Sequence, residues 1–214
     1  KKKRWKIMIK LLNKGSVVVI SGPSGCGKSS LLKEVYKHID NYYFSISTTT
    51  RDKREGEVNG VDYHFVSKED FKKDITAGNF LEWAEVHGNY YGTSLKLVKE
   101  ALYLSKIVIF DIDVQGHKIV RQKLSSITTS VFITTPSLKE LEKRLTLRAT
   151  DSTTIIANRI KNSKIEVQEI NKYDYFIIND DLKLASKQLL NVIECSKMKT
   201  LLFNKDEIVE QWLN

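Results

Sequence analysis

The stretch VVVISGPSGCGKSSLLKEV, residues 17–35, joins a β-branched apolar run to a helix-forming one through G-x-x-x-x-G-K-[ST]. Strand, glycine-rich turn and helix in that order form the context a phosphate-binding loop requires. The glycines let the backbone curl with its N–H groups inward, and the helix that follows brings the positive end of its dipole to the same place. Gly22, Pro23, Ser24, Gly25, Cys26, Gly27, Lys28, Ser29 and Ser30 are therefore the expected cradle. Lys28 is suited to β- and γ-phosphate oxygens, and Ser29 to a Mg²⁺ ion through its hydroxyl. The implied ligand is a nucleoside triphosphate, and the open question is what accepts the phosphate.

Outward from the loop, the pattern predicts an α/β, P-loop three-layer fold with a mostly parallel central sheet. Residues 17–21 read as a buried strand and 29–38 as its helix, with Leu31, Leu32 and Val35 on one apolar face. Further strands are expected over 106–113, 129–134 and 173–178, a fifth over 42–47, and a helix over 182–196. Two stretches break the rhythm. Residues 48–94 hold short strand-like pieces and a helix begun by Ser67, with Asp70 three residues on and Gly78 as its stop. Residues 136–165 are helical throughout, opened by Ser137, with a second helix from Asp151 or Ser152. The expected division is a core of 15–47, 95–135 and 166–214, an acceptor subdomain of 48–94, a lid of 136–165 and a basic extension of 1–14.

Composition narrows the classes. A chain of 214 residues buries a full core as one α/β unit. Its net charge of +9 suits anionic partners, but it is spread along the sequence as lysine, and no nucleic-acid recognition module accompanies it. Two distant cysteines, Cys26 and Cys195, make no disulfide framework and point to a reducing cytoplasm. Lys10 interrupts the apolar patch after the basic start, so residues 1–14 do not read as a signal peptide, and Met8 is an alternative start. No run approaches the ~20 apolar residues of a membrane span. His38, His64, His87 and His117 are scattered without metal-ligand spacing.

The acceptor-side residues follow in SISTTTRDKREGEVNGVDYHFV, residues 45–66. Arg51 and Arg54 place two guanidiniums three residues apart, suited to a phosphomonoester, with Tyr63 and Tyr91 able to donate hydroxyls to the same group. Five of the seven arginines (51, 54, 144, 148 and 159) fall in the two insertions, which argues against casual surface charge. On a period of two, Glu82 in FLEWAEV shares a strand face with Phe80, Ala84 and Val86. A carboxylate so placed is costly unless paired. Guanine offers it N1–H and the 2-amino group side by side, whereas adenine turns a lone pair towards it. The plain alternative for Glu82 is an edge-strand acid paired with a lysine. Asp111 and Asp113, two apart at a strand's carboxyl end, point into the crevice where open α/β sheets bind ligands. One suits Mg²⁺ through water and the other a donor of the acceptor nucleotide, the division being open, and a helix N-cap is the alternative for Asp113.

SGPSGCGKSS, SISTTTRDKREGEVNGVDYHFVS, FLEWAEVHGNYYGTS, DIDVQG, TTPSLKELEKRL and IINDD together resemble the guanylate kinase family, in its order and spacing, over residues 17–181. The resemblance implies reversible phosphoryl transfer from ATP to GMP, and to dGMP, with Mg²⁺, in purine nucleotide metabolism. It implies that Arg51, Arg54, Tyr63 and Tyr91 bind the GMP phosphate and that Ser47, Glu82, Thr93 and Asp113 contact guanine. It further implies that Arg144, Arg148 and Arg159 reach the triphosphate from a lid, and that Asn179 lies near the ATP base. Lys28, Arg51, Arg144, Arg148 and Arg159 would then carry catalysis, with Ser29 and Asp111 serving the metal. Thr135-Pro136, Lys53 between the acceptor arginines, and Ala149 depart from the family pattern, and the first and third bear on how a lid hinges. The rival readings are a non-catalytic phosphopeptide-binding module, a kinase for another nucleoside monophosphate, and a nucleic-acid binder.

Overall fold

The computed structural model describes residues 14–86, 88–147 and 153–214; the basic extension before Lys14, with Met8, and His87, Arg148 and Ala149 lie outside the described residues. In chain order the elements are β1 (Ser16–Ser21), α1 (Lys28–Val35), β2 (Tyr42–Phe44), β3 (Thr48–Thr49), β4 (His64–Phe65), α2 (Lys68–Thr76), β5 (Phe80–Val86), β6 (Asn89–Ser94), α3 (Leu95–Tyr103), β7 (Ile107–Asp111), α4 (Val114–Leu124), β8 (Thr128–Thr134), α5 (Leu138–Leu147), α6 (Thr153–Glu166), β9 (Tyr175–Ile178), α7 (Leu182–Ser196) and α8 (Lys205–Leu213).

β1 is the middle of a five-stranded sheet in the order β2-β7-β1-β8-β9, and every neighbouring pair in it is parallel. A parallel strand is covered on both faces and so reads as an unbroken apolar run. Alternation then sends neighbours to opposite layers. Val18 and Ile20 pack with Leu31, Leu32 and Val35 of α1 and with Ala185, Leu189 and Ile193 of α7. Val17 and Val19 pack with Val98 and Ala101 of α3 and Val120 of α4. β7 divides the same way, Ile107 and Ile109 to the first layer, Val108 and Phe110 to the second. Burying a side chain of this size stabilises by about 1.5–3 kcal/mol, so two covered faces hold the sheet rigid.

The parallel strands lie where the sequence places them, with β1 and β8 one residue longer at the start and β2, β7 and β9 shorter. β7 stops at Asp111 because Asp113 is already the N-cap of α4, and β9 starts at Tyr175 because a 3₁₀ turn occupies Val167–Lys172. A second sheet, in the order β4-β3-β6-β5, stands apart from the first; β3 is parallel to β4 and antiparallel to β6, which is antiparallel to β5. Beside it, the hydroxyl of Ser67 accepts from Asp70 N–H at 3.0 Å to start α2, and Gly78 turns left-handed at φ +67° just after its end. No helix among the described residues is long and apolar enough to cross a membrane.

Candidate active site

α1 starts differently from its neighbours. Side chains cap α2, α3, α4, α7 and α8, through Ser67, Ser94, Asp113, Asp181 and Asn204. At α1 the cap is Gly27, left-handed at φ 95°, and no side chain bonds to the first turn. The free N–H groups of a helix's first turn need a partner, and an anion is the natural one. Lys28 curls over the same turn, its Nζ donating to the carbonyls of Gly22 at 2.7 Å and Pro23 at 3.4 Å. Cys26 is fully buried beneath the loop, and burial pushes its thiol up.

Asn179 holds this loop from below. It is 4% exposed, and its Nδ2 donates to the Cys26 carbonyl at 2.8 Å. Expected near a base by resemblance, its amide is engaged with the loop backbone.

A cavity of about 340 Å³ opens over the loop, lined by Gly22, Ser24, Gly25, Gly27, Lys28, Ser29, Asp111, Ile112, Asp113 and Glu166. Asp111 and Asp113 do share it, but not as a pair on one strand. The Oδ1 of Asp113 accepts from Gln115 N–H at 3.0 Å and Gly116 N–H at 2.8 Å, so the capping alternative is realised, with Asp113 as the N-cap of α4. Burial raises the Asp111 carboxyl above its ordinary range, against the pull of Lys28. Glu166, the last residue of α6, escaped the sequence reading because nothing in a helix-forming run marks which end reaches a distant loop. Burial raises its carboxyl too, with Lys28 lowering it and Asp113 raising it.

On the second sheet, Arg51, Tyr63 and Tyr91 meet. The Arg51 guanidinium lies 5.5 Å from the Tyr63 ring centre and 5.7 Å from that of Phe65, and the Tyr63 and Tyr91 rings meet edge to face at 6.1 Å. Arg51 does not wait unpaired: its Nη2 donates to both carboxylate oxygens of Glu57, at 2.6 and 2.9 Å. Glu57 also accepts from the Arg54 backbone N–H at 2.8 Å, and these two donors hold its carboxyl below the usual range. A turn that closes over six residues was not visible from spacing, and Glu57 was missed. Ser47 enters this sheet through its carbonyl, which accepts from His64 N–H at 2.9 Å.

Glu82 lies across from Thr93, which is 3% exposed and donates its hydroxyl to Oε1 at 2.7 Å. Among the described residues no lysine pairs with Glu82. Its strand face corrects the period-of-two reading. β5 pairs Phe80 with Ser94 and Glu82 with Thr93, so Leu81 is an extra residue in a β-bulge, and Phe80 and Glu82 point to opposite faces. Phe80 stacks on Phe71, which stacks on Tyr90, and Trp83 meets Tyr90 edge to face. Glu82 has Tyr91 and Thr93 on its side instead.

The insertion over 136–165 reaches the glycine-rich loop at Ser24 and also the Asn179 that braces it. Arg144 donates through Nε to Glu140 at 2.8 Å and through Nη1 to the Asn179 carbonyl at 2.9 Å. Arg159, on α6, donates to the Ser24 hydroxyl at 3.0 Å.

A parallel sheet with a glycine-rich loop at its carboxyl edge and an uncapped helix behind it defines a P-loop protein, and beside the second sheet Arg51, Tyr63 and Tyr91 form a separate cluster. A family model described as guanylate kinase matches residues 14–196. A guanylate kinase of Sulfurimonas denitrificans is 53% identical over 198 residues, 92% of this chain and 96% of its own, and one of Wolinella succinogenes is 50% identical over 200 residues, 94% and 93%. The crystal structure of guanylate kinase from Anaplasma phagocytophilum superposes with a TM-score of 0.70 at 31% identity, covering 94% of this chain and 96% of that one. The chain belongs to the guanylate kinase family.

Proposed function

We propose that this chain is an ATP:GMP phosphotransferase that moves the γ-phosphoryl group of ATP reversibly to GMP, and to dGMP, in the cytoplasm. The observation that carries the reading is the separation of two anion-seeking clusters: the uncapped helix with Lys28, and Arg51 with Tyr63 and Tyr91 on a sheet that also presents Glu82. The division into core, acceptor subdomain (48–94) and lid (136–165) follows from it.

Phosphoryl transfer asks little covalent chemistry of a protein, so the work is holding two polyanions in line and neutralising charge. The loop amides from Gly22 to Ser30 and Lys28 take the ATP phosphates, with Asn179 keeping the loop in shape. Arg51, already oriented by Glu57, meets the acceptor phosphate with Arg54, Tyr63 and Tyr91, and its fixed fork loses little freedom on binding. Ser47, Glu82, Thr93 and Asp113 read guanine; Thr93 orients the Glu82 carboxylate towards the N1–H and 2-amino donors. Arg144, Arg148 and Arg159 neutralise the charge that develops between the nucleotides.

The oxygen donors in the cavity suit a hard cation such as Mg²⁺, which keeps much of its water. Ser29 would hold it directly and Asp111 through water, and when bound it supplies neutralisation of β- and γ-oxygens. Asp111 fits the task, because a cation beside it would offset the burial that raises its carboxyl.

Purified protein assayed with ATP and Mg²⁺ against AMP, GMP, CMP, UMP and dTMP tests the proposal. The expected result is diphosphate from GMP at least about 10²-fold faster than from AMP, since a mismatched base leaves a buried polar group unpaired. ATP binding without turnover of any acceptor overturns it.

A further inference from the structure

We infer that Lys123 is a positioning residue for guanine selection, gripping the bulge at Leu81 that immediately precedes Glu82. The inference rests on the base-reading role proposed for Glu82.

A strand without the bulge would put Phe80 and Glu82 on one face, and Phe80 could not stack on Phe71 while Glu82 faces Tyr91 and Thr93. One extra residue reverses this, and bulges re-aim side chains in this manner beside functional sites. Gly92 records how closely the two strands approach there. A Cβ on it would stand 2.9 Å from the Glu82 carbonyl oxygen and 3.0 Å from both the Phe80 ring and the Trp83 Cβ. Phe80 and Trp83 thus cover the face opposite to Thr93.

An extra residue has no partner across the ladder, and its backbone groups must find donors and acceptors elsewhere. Leu81 finds them on the core. Its side chain is 1% exposed, in the layer formed by Val98, Ala101 and Val120. Its carbonyl accepts from the Nζ of Lys123 at 2.5 Å. Val120 and Lys123 are three residues apart on α4 and so lie on one side of that helix. The helix whose first residue follows Asp113, in the loop cavity, therefore also grips the residue preceding Glu82. Removing the ammonium leaves the Leu81 carbonyl short of a donor and lets the bulge migrate, which moves Glu82 without touching Thr93, Arg51 or the donor loop.

GMP and IMP differ only by the 2-amino group, so their ratio of kcat/KM reports how well the Glu82 carboxylate is placed. In Lys123→Met and Lys123→Leu the ratio is expected to fall about fivefold, as loss of one charge-assisted hydrogen bond allows, while KM for ATP stays within twofold. Lys123→Arg, which keeps a donor, restores it. An unchanged ratio in both neutral variants overturns the inference, whether or not melting temperature drops, because a tie that only stabilises would shift melting alone. Glu82→Gln is run beside them. If it collapses the ratio while the lysine variants do not, the positioning role alone fails; if it too leaves the ratio intact, the base-reading fails and the inference with it.

Discussion

Gly27 shows how little freedom a single position in the donor loop has. It stands at φ +95°, and the space a Cβ would take is already held by Asn179 Nδ2 at 2.3 Å. Left-handed backbone costs an L-residue about 1–2 kcal/mol, and the collision also pulls Asn179 from the Cys26 carbonyl. Gly27→Ala is expected to lower kcat/KM for ATP at least about 10²-fold and melting by several degrees, readable by steady-state kinetics and calorimetry. Normal ATP kinetics in a folded variant would show that loop shape is not what binds the phosphates. The loop itself was readable in the sequence because its glycines and lysine are local and their order is chemically constrained. Glu57, Glu166 and the engagement of Asn179 were not, since each depends on where another part of the chain arrives. Asp113 falls between: its capping role was one of two readings, and only the start of α4 at Val114 decides for it.

At the scale of elements, legibility followed periodicity. Strands buried on both faces announce themselves as apolar runs, and β1, β7 and β8 were read to within two residues at each end. β5 was read as a strand, but Phe80 was placed on the wrong face, because a period of two assumes an unbroken ladder and the bulge at Leu81 leaves no trace in residue type. Caps are local and were readable: Ser67 and Ser137 each accept from the N–H three residues on, at 3.0 and 3.1 Å. Ser67 also donates to Asp70 Oδ2 at 2.7 Å, and this bond is the first of the contacts that hold that carboxyl low. Ser67→Ala therefore removes both halves of the cap, with an expected loss of about 1 kcal/mol in urea unfolding and no change in ATP affinity. A loss of ATP affinity would mean that α2 and the donor loop are coupled.

Taken as a whole, the molecule carries one buried imidazole that works against stability in mild acid. His117 is 4% exposed, stacked on Tyr173 at 3.9 Å, and its Nε2 has no hydrogen-bond partner among the described residues. Burial, helped by Arg121, lowers its pKa in the folded state. The unfolded imidazole takes a proton near pH 6.5. Below that pH and down to the lowered folded value, the unfolded chain binds more protons, so stability falls as pH falls; above it neither state is charged and the term is flat. Asp174 adds a separate loss at lower pH. Burial pushes it up, but Arg121, at 2.6 and 2.7 Å, and Ser130 more than offset this and hold it below the usual range. That stability is present above the unfolded pKa of about 3.9 and is lost as pH drops through the folded value. His117→Phe, which keeps the ring and sheds the charge, is expected to lose less melting temperature than the parent chain between pH 7 and pH 5; an identical pH slope in the two assigns the effect elsewhere. The two thiols divide along the same line between inside and outside, Cys26 sealed under the loop and Cys195 open on α7. Native protein will accordingly take up one equivalent of a maleimide dye, at Cys195, and a second only as it opens. The chain therefore carries its own labelling handle and its own unfolding clock.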